Sequence, residues 1–222
     1  RLEAGVDLYR TGGPGQQTSL FLRGTNSNQV LVLIDGVRAA AATTGAFAFE
    51  QLPLDAVERI EIVRGPRASY WGADALGGVI QIFTRKLDGP RVALGYGSYR
   101  DADGSAGIGH WNGPDGYSVQ VGARHAGGFS ATNPGICNGP DDPYCSYDPD
   151  DDGYRNTNLA ARGAYSIGIQ IVSAALYRSQ GQVQFDQGYI GVIEQTAGMD
   201  LEGELAPGWN HRLALGSSRE DL

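Results

Sequence analysis

Two hydrophobic patterns divide the chain. Up to about residue 88, short apolar runs at 20–23, 30–34, 57–63 and 79–83 are cut by Gly and Pro. The run Val30-Leu31-Val32-Leu33-Ile34 is apolar on both faces, which predicts a strand buried on both sides. One helical turn is expected at 54–57 and another at 68–73, with Pro66 just ahead of it. From Pro90 onward the period becomes two. Tyr117, Val119, Val121 and Ala123 alternate with Ser118, Gln120, Gly122 and Arg124. Met199, Leu201 and Leu205 alternate with Asp200, Glu202 and Glu204, and Leu213 and Leu215 with Arg212 and Ala214. This alternation predicts strands at 90–99, 103–112, 116–127, 157–167, 169–180, 196–206 and 209–219. The expected organisation is therefore a compact strand-rich unit over 1–88 and an amphipathic sheet over 89–222.

Alternation alone has two readings. In a secreted β-sandwich the apolar face meets a second sheet. In a membrane barrel it faces lipid, with small and polar residues inward. The links alternate in length, short at 112–116 and 206–208, long at 128–156 and 181–195, which fits a membrane barrel. Tyr96, Tyr99, Trp111, Tyr165, Tyr177 and Trp209 fall near the expected strand ends, where an aromatic girdle lies. About seven strands are too few to close around an inserted unit.

Charge and composition narrow the function. The net charge of −8 excludes the basic face of a nucleic-acid binder. No apolar run approaches the length of a spanning helix, which leaves a barrel open because its strands never read as hydrophobic overall. The sharpest chemical feature is Asp148-Pro149-Asp150-Asp151-Asp152-Gly153-Tyr154. Carboxylates at every second position before a Gly can wrap Ca²⁺, which takes six to eight oxygens. An EF-hand would need Glu at the twelfth loop position, which is Leu159, so a calcium loop of another kind or a solvated acidic loop remains. Asp186 and Glu194, read as lying in the next long link, are candidates to complete this metal set or a second one. His110, His125 and His211 are far apart, and no Ser-His-Asp or Cys-His arrangement occurs, so no enzymatic activity is expected.

The residues up to 88 carry a resemblance. Leu22-Arg23-Gly24-Thr25-Asn26, Val32-Leu33-Ile34-Asp35-Gly36-Val37-Arg38, Val57-Glu58-Arg59-Ile60-Glu61-Ile62, Arg64-Gly65-Pro66-Arg67 and the stretch Tyr70-Trp71-Gly72-Ala73-Asp74-Ala75-Leu76-Gly77-Gly78-Val79-Ile80 occur in order. In these motifs the chain resembles the TonB-dependent outer-membrane transporters, and most of all their cobalamin branch. The resemblance implies a mostly β protein of the bacterial outer membrane. A plug domain, small and mixed α/β with four short strands, would precede the first strands of an antiparallel transmembrane β-barrel embedded in lipid. It places residue 1 inside the plug, with the coupling segment for the TonB energy-coupling protein ahead of it and further barrel strands beyond residue 222.

The implied cargo is cobalamin or a related corrinoid, with calcium ordering the aspartate loop. By family position Thr18, Asn26 and Thr44 would touch the corrinoid. Gln17 and Thr43 suit the same amide-fringed cargo, which needs hydrogen-bonding and small side chains. A ferric siderophore, often anionic, would favour Arg and aromatic residues and is the alternative cargo. A secreted Ca²⁺-dependent β-sandwich binding domain is the alternative outside the family. Arg23, Arg59, Arg64, Glu58 and Glu61 are expected to form ion pairs between plug and barrel wall. Cys137 and Cys145, the two cysteines of the chain, read as a disulfide in an exported protein. Closing so short a loop would stabilise it by about 2–3 kcal/mol.

Overall fold

The computed structural model describes residues 5–41, 44–65, 71–130, 150–185 and 188–221. Six strands form the first unit, two more than the four apolar runs predict. β1 (Val6–Arg10) and β2 (Thr18–Leu22) pair as an antiparallel ribbon. β3 (Val30–Ile34), β4 (Val37–Arg38), β5 (Val57–Arg64) and β6 (Gly78–Thr84) form a sheet in the order β4-β3-β6-β5. β1 escapes a hydrophobic reading because only Val6 of its five residues is buried, and β4 is two residues long.

All five residues of β3 are buried, as expected of a strand covered on both faces. It pairs parallel to β6, Val30 opposite Gly78 through Ile34 opposite Ile82, and antiparallel to β4. Asp35 and Gly36 turn the chain between β3 and β4 with φ of 47° and 85°, the left-handed pair that a two-residue hairpin turn requires. Leu22, Ile34, Ile80 and Ile82 form the centre of the core, each contributing about 1.5–3 kcal/mol by burial. A short 3₁₀ turn at Leu54–Ala56 stands where one was expected, whereas residues 68–70 of the turn expected at 68–73 lie outside the described residues.

The seven predicted strands of the second unit are all present: β7 (Arg91–Tyr96), β8 (Ala102–Asn112), β9 (Asp115–Ala126), β10 (Tyr154–Ile167), β11 (Gln170–Phe185), β12 (Gly188–Ala206) and β13 (Trp209–Asp221). They pair in sequence order, each antiparallel to the next, as one open sheet with β7 and β13 at its edges. Two-residue turns at 113–114, 168–169 and 207–208 mark one end. The expected long link at 181–195 is absent. β11 and β12 continue through it, pairing until Phe185 meets Gly188. The Gln-rich, Gly-containing stretch 180–188 reads as loop, yet its period of two runs on unbroken.

One face of this sheet presents Val92, Leu94, Val119, Val121, Met199 and Leu215 to the outside. The other turns Ser105, Ser118, Gln120, Asn156, Ser179 and Thr196 toward the first unit, all buried. This polar-in, apolar-out arrangement is that of a membrane barrel wall. Tyr96, Tyr165 and Trp209 are exposed near strand ends, as a girdle requires. Tyr177 is not a girdle residue. It sits in mid-strand on the inner face, 1% exposed, and joins the core of the first unit. Lys86 lies 3.8 Å over the Trp111 ring, and Tyr99 sits in the β7–β8 turn with its ring 5.1 Å from that of Phe129.

Candidate ligand-binding site

The first unit docks on the inner face of the sheet through a few side chains. Gln51, 1% exposed, is the hub. Its side-chain carbonyl accepts from the Tyr154 hydroxyl at 3.1 Å and from Asn156 Nδ2 at 3.4 Å, and its backbone carbonyl accepts from Ser179 Oγ at 2.7 Å. Gly15, at φ 79°, lies against the Tyr154 ring so closely that a Cβ would overlap it. Val37, at the β3–β4 turn, packs onto Gly198 and Gly216, which face each other in register on β12 and β13. Deeper down, Asp35 accepts from the Thr84 amide at 3.0 Å and lies 3.8 Å from Arg162, which also donates to the Thr84 carbonyl at 3.0 Å.

That Asp35–Arg162 contact is an ion pair joining the two units. Arg59, expected to reach the wall, pairs instead with Glu61 at 2.8 Å and Glu58 at 3.8 Å on its own exposed strand, and stacks on Phe83. The strand alternation places its neighbours beside it, and exposed partners on one strand meet without crossing a gap.

At the end opposite the two-residue turns, a cavity of about 420 Å³ opens between the first unit and strands β11 to β13. Gln17, Thr18 and Thr44 line it together, with Gln16 and Ser27. The Thr18 amide donates to Glu50 Oε2 at 3.0 Å, and its hydroxyl donates to the Gln16 carbonyl at 3.2 Å. Gln16 Nε2 donates to the Gln184 carbonyl at 3.3 Å, tying the rim to β11. Burial pushes the Glu50 carboxyl above its ordinary value, against backbone hydrogen bonds and the nearby Arg10. A second cavity, about 600 Å³ and lined largely by apolar side chains, separates β1, β2 and β5 from strands β8 to β10.

Asn26 stands one residue outside the first cavity, exposed, its amide held by Gln29 Oε1 at 3.1 Å. Thr43 lies outside the described residues.

The described part of the aspartate stretch is anchored to its surroundings. The Asp152 amide donates to the Phe129 carbonyl at 3.3 Å, and Gly153 and Gln184 exchange hydrogen bonds at 3.3 and 2.8 Å. Arg100 binds Asp151 at 2.6 Å. Asp150 is exposed and Asp152 is buried. The Arg124 guanidinium grips Asp101 at 2.9 and 2.6 Å, holding that carboxyl below the usual range.

Glu194 is not a loop residue. It lies within β12 opposite Ser179, which pairs with Asn158, six residues along β10 from Asp152. Among the described residues no group of three His, Cys, Asp or Glu side chains is arranged to hold a metal ion. Asp148, Asp186, Cys137 and Cys145 lie outside the described residues. Gln51, Glu50, Tyr154 and Glu220, all at or beside the cavity, are absent from the expected set. Gln51 carried one signal, a lone amide after Phe49-Glu50 and just before Leu52-Pro53.

Residues 1–79 match the TonB-dependent Receptor Plug Domain. The sheet that follows is the wall of the same architecture: over 97% of the chain, the structure superposes with a TM-score of 0.72 on the ferric enterobactin receptor PfeA in complex with BCV-L6. The chain belongs to the TonB-dependent outer-membrane receptors. The first unit is therefore a plug and the second a stretch of barrel wall. Identity to PfeA is 18%, as it is to the siderophore receptor PirA from Acinetobacter baumannii, at a TM-score of 0.67; these likenesses concern fold alone.

The curated relatives are more similar in sequence. The chain is 50% identical over 109 residues, 47% of its length, to the vitamin B12 transporter BtuB of Vibrio cholerae. It is 36% identical over 187 residues, 81% of its length, to that of Photobacterium profundum. The aligned stretches cover 18% and 28% of those relatives' own lengths, and 36–37% of the two solved receptors.

Proposed function

We propose that this TonB-dependent receptor carries cobalamin or a related corrinoid across the outer membrane, powered by the TonB energy-coupling protein through strand addition to a segment ahead of the plug. The observation that carries the reading is the 50% identity to a vitamin B12 transporter. The cavity lined by Gln17, Thr18 and Thr44 supports it, because these neutral side chains suit the amides of a corrinoid. A siderophore receptor is the alternative, and the fold-level likeness to such receptors does not favour it, since the fold is shared across cargoes.

Calcium assists binding in this reading. Asp150 and Asp152, joined by Asp148, would hold the ion, since hard carboxylate oxygens are what Ca²⁺ takes. Asp151, between them, is engaged by Arg100. Cys137 and Cys145 close the same link as a disulfide.

The test uses the complete receptor. Cyanocobalamin should bind more tightly with Ca²⁺ than without, and the double variant Asp150→Ala, Asp152→Ala should lose the difference. A receptor that reaches the outer membrane yet binds only ferric chelates ends the corrinoid assignment.

A further inference from the structure

The cavity wall is acidic where plug meets barrel. Glu50 from the plug and Glu220 from β13 both line it. Glu194 faces Glu220 in register from β12. Glu194 is 2% exposed, and neither of its carboxylate oxygens has a hydrogen-bond partner in the structure. It lies within electrostatic reach of both Glu220 and Glu50. The Tyr177 hydroxyl, equally buried, lies within electrostatic reach of Glu194. Among the described residues no Lys, Arg or His lines this cavity. Arg10 acts on Glu50 from the neighbouring cavity. The chain linking β9 to β10, residues 127–153, contains six aspartates and no Lys, Arg or His.

A buried carboxylate with both oxygens unmatched is costly unless something donates to it. Two carboxylates from separate units line this cavity, and a third stands in register with one of them. They present acceptors to whatever enters and repel a further negative charge. We propose that Glu50, Glu194 and Glu220 act as a specificity filter: they select a cargo whose edge offers N–H donors and reject one that carries a carboxylate or catecholate anion there. The filter rests on the corrinoid reading for its natural cargo, whose peripheral amides are such donors. Glu220 and Glu50 make the contact at the cavity surface. Glu194 stands behind Glu220, in register with it and outside the cavity lining.

The experiment uses the complete receptor in detergent at neutral pH, with Ca²⁺ present. The probes are cyanocobalamin, its side-chain monocarboxylic acids (one amide replaced by carboxylate), an anionic ferric tris-catecholate and a cationic ferric hydroxamate. Wild type should bind cyanocobalamin at least roughly tenfold more tightly than one or more of the monoacids. Glu220→Gln should shrink that ratio by improving binding of the monoacid. Glu50→Gln gives a second reading of the same effect, and resistance of the folded barrel to SDS confirms that each variant is assembled. Equal binding of cyanocobalamin and every monoacid, or a ratio unmoved by both variants, overturns the filter and leaves the corrinoid reading standing. If no corrinoid binds, the ferric chelates decide. Capture of the cationic chelate alone keeps the filter while the corrinoid reading falls, and capture of the anionic one ends both.

Discussion

Replacing Gln51 by Ala tests how the plug is held. The substitution removes the side-chain acceptor of the Tyr154 hydroxyl and of Asn156 Nδ2, while the backbone carbonyl that accepts from Ser179 remains. Neither donor is left wholly unmatched, because Tyr154 also reaches the Glu50 carbonyl at 3.2 Å and Asn156 reaches Ser179 Oγ at 2.9 Å. The cost is therefore that of two ordinary hydrogen bonds, about 0.5–1.5 kcal/mol each and roughly 1–3 kcal/mol together. Hydrogen exchange in the complete receptor reads this directly. A plug segment that opens by leaving the wall should exchange roughly five- to hundredfold faster across residues 47–57. Glu61→Ala, an exposed residue paired with Arg59 on its own strand, is the control and should leave exchange unchanged. If Gln51→Ala exchanges like wild type over this segment, Gln51 is not the point at which the plug is fastened.

Three further outcomes follow from the same geometry. Gly181→Ala would drive a methyl into the Gln51 amide. It should cost about 1–3 kcal/mol by overpacking, and far less when combined with Gln51→Ala, measured as a non-additive pair in urea unfolding. Val119→Arg, on the outward face of β9, should lower barrel stability in liposomes by about 2–4 kcal/mol, and an effect near zero would place that face away from lipid. Asp101 has a carboxyl held low by Arg124, so its contribution is complete above the unfolded value of about 3.9 and is lost as pH falls through the lower folded value. Acid should therefore speed exchange at the Gly97 amide, which bonds the Asp101 carbonyl, and Asp101→Asn should abolish that response.

The strands were legible because their period is unambiguous. Each of the seven wall strands follows from alternation, and β3 follows from its unbroken apolar run. What alternation does not carry is where a strand stops when its residues turn polar above the membrane. The stretch 180–188 is rich in Gln and Gly, and reading it as loop also misplaced Tyr177 at a strand end. Its inward direction then passed unnoticed, although its parity matches that of the buried Ser179. Gln17, Thr18 and Thr44 do come together, but the hub at Gln51 and the carboxylates of Glu50 and Glu220 did not stand out. Such residues are chosen by what faces them across the seam, and partners more than a hundred residues apart leave no spacing to read.

The two ways in which the plug's strands are paired make it mechanically uneven. In the β1–β2 ribbon, Val6 opposes Leu22 and Arg10 opposes Thr18, so a pull that lifts Val6 from Leu22 loads one rung at a time and peels the ribbon like a zip. β3 and β6 run side by side in the same direction, so tension along β3 is shared by the whole row from Val30 to Ile34 and must shear it at once. Force entering from the residue-6 side would be spent on the ribbon long before it threatened the central sheet. The plug then yields in a graded order, giving way at its margin while its middle keeps its shape.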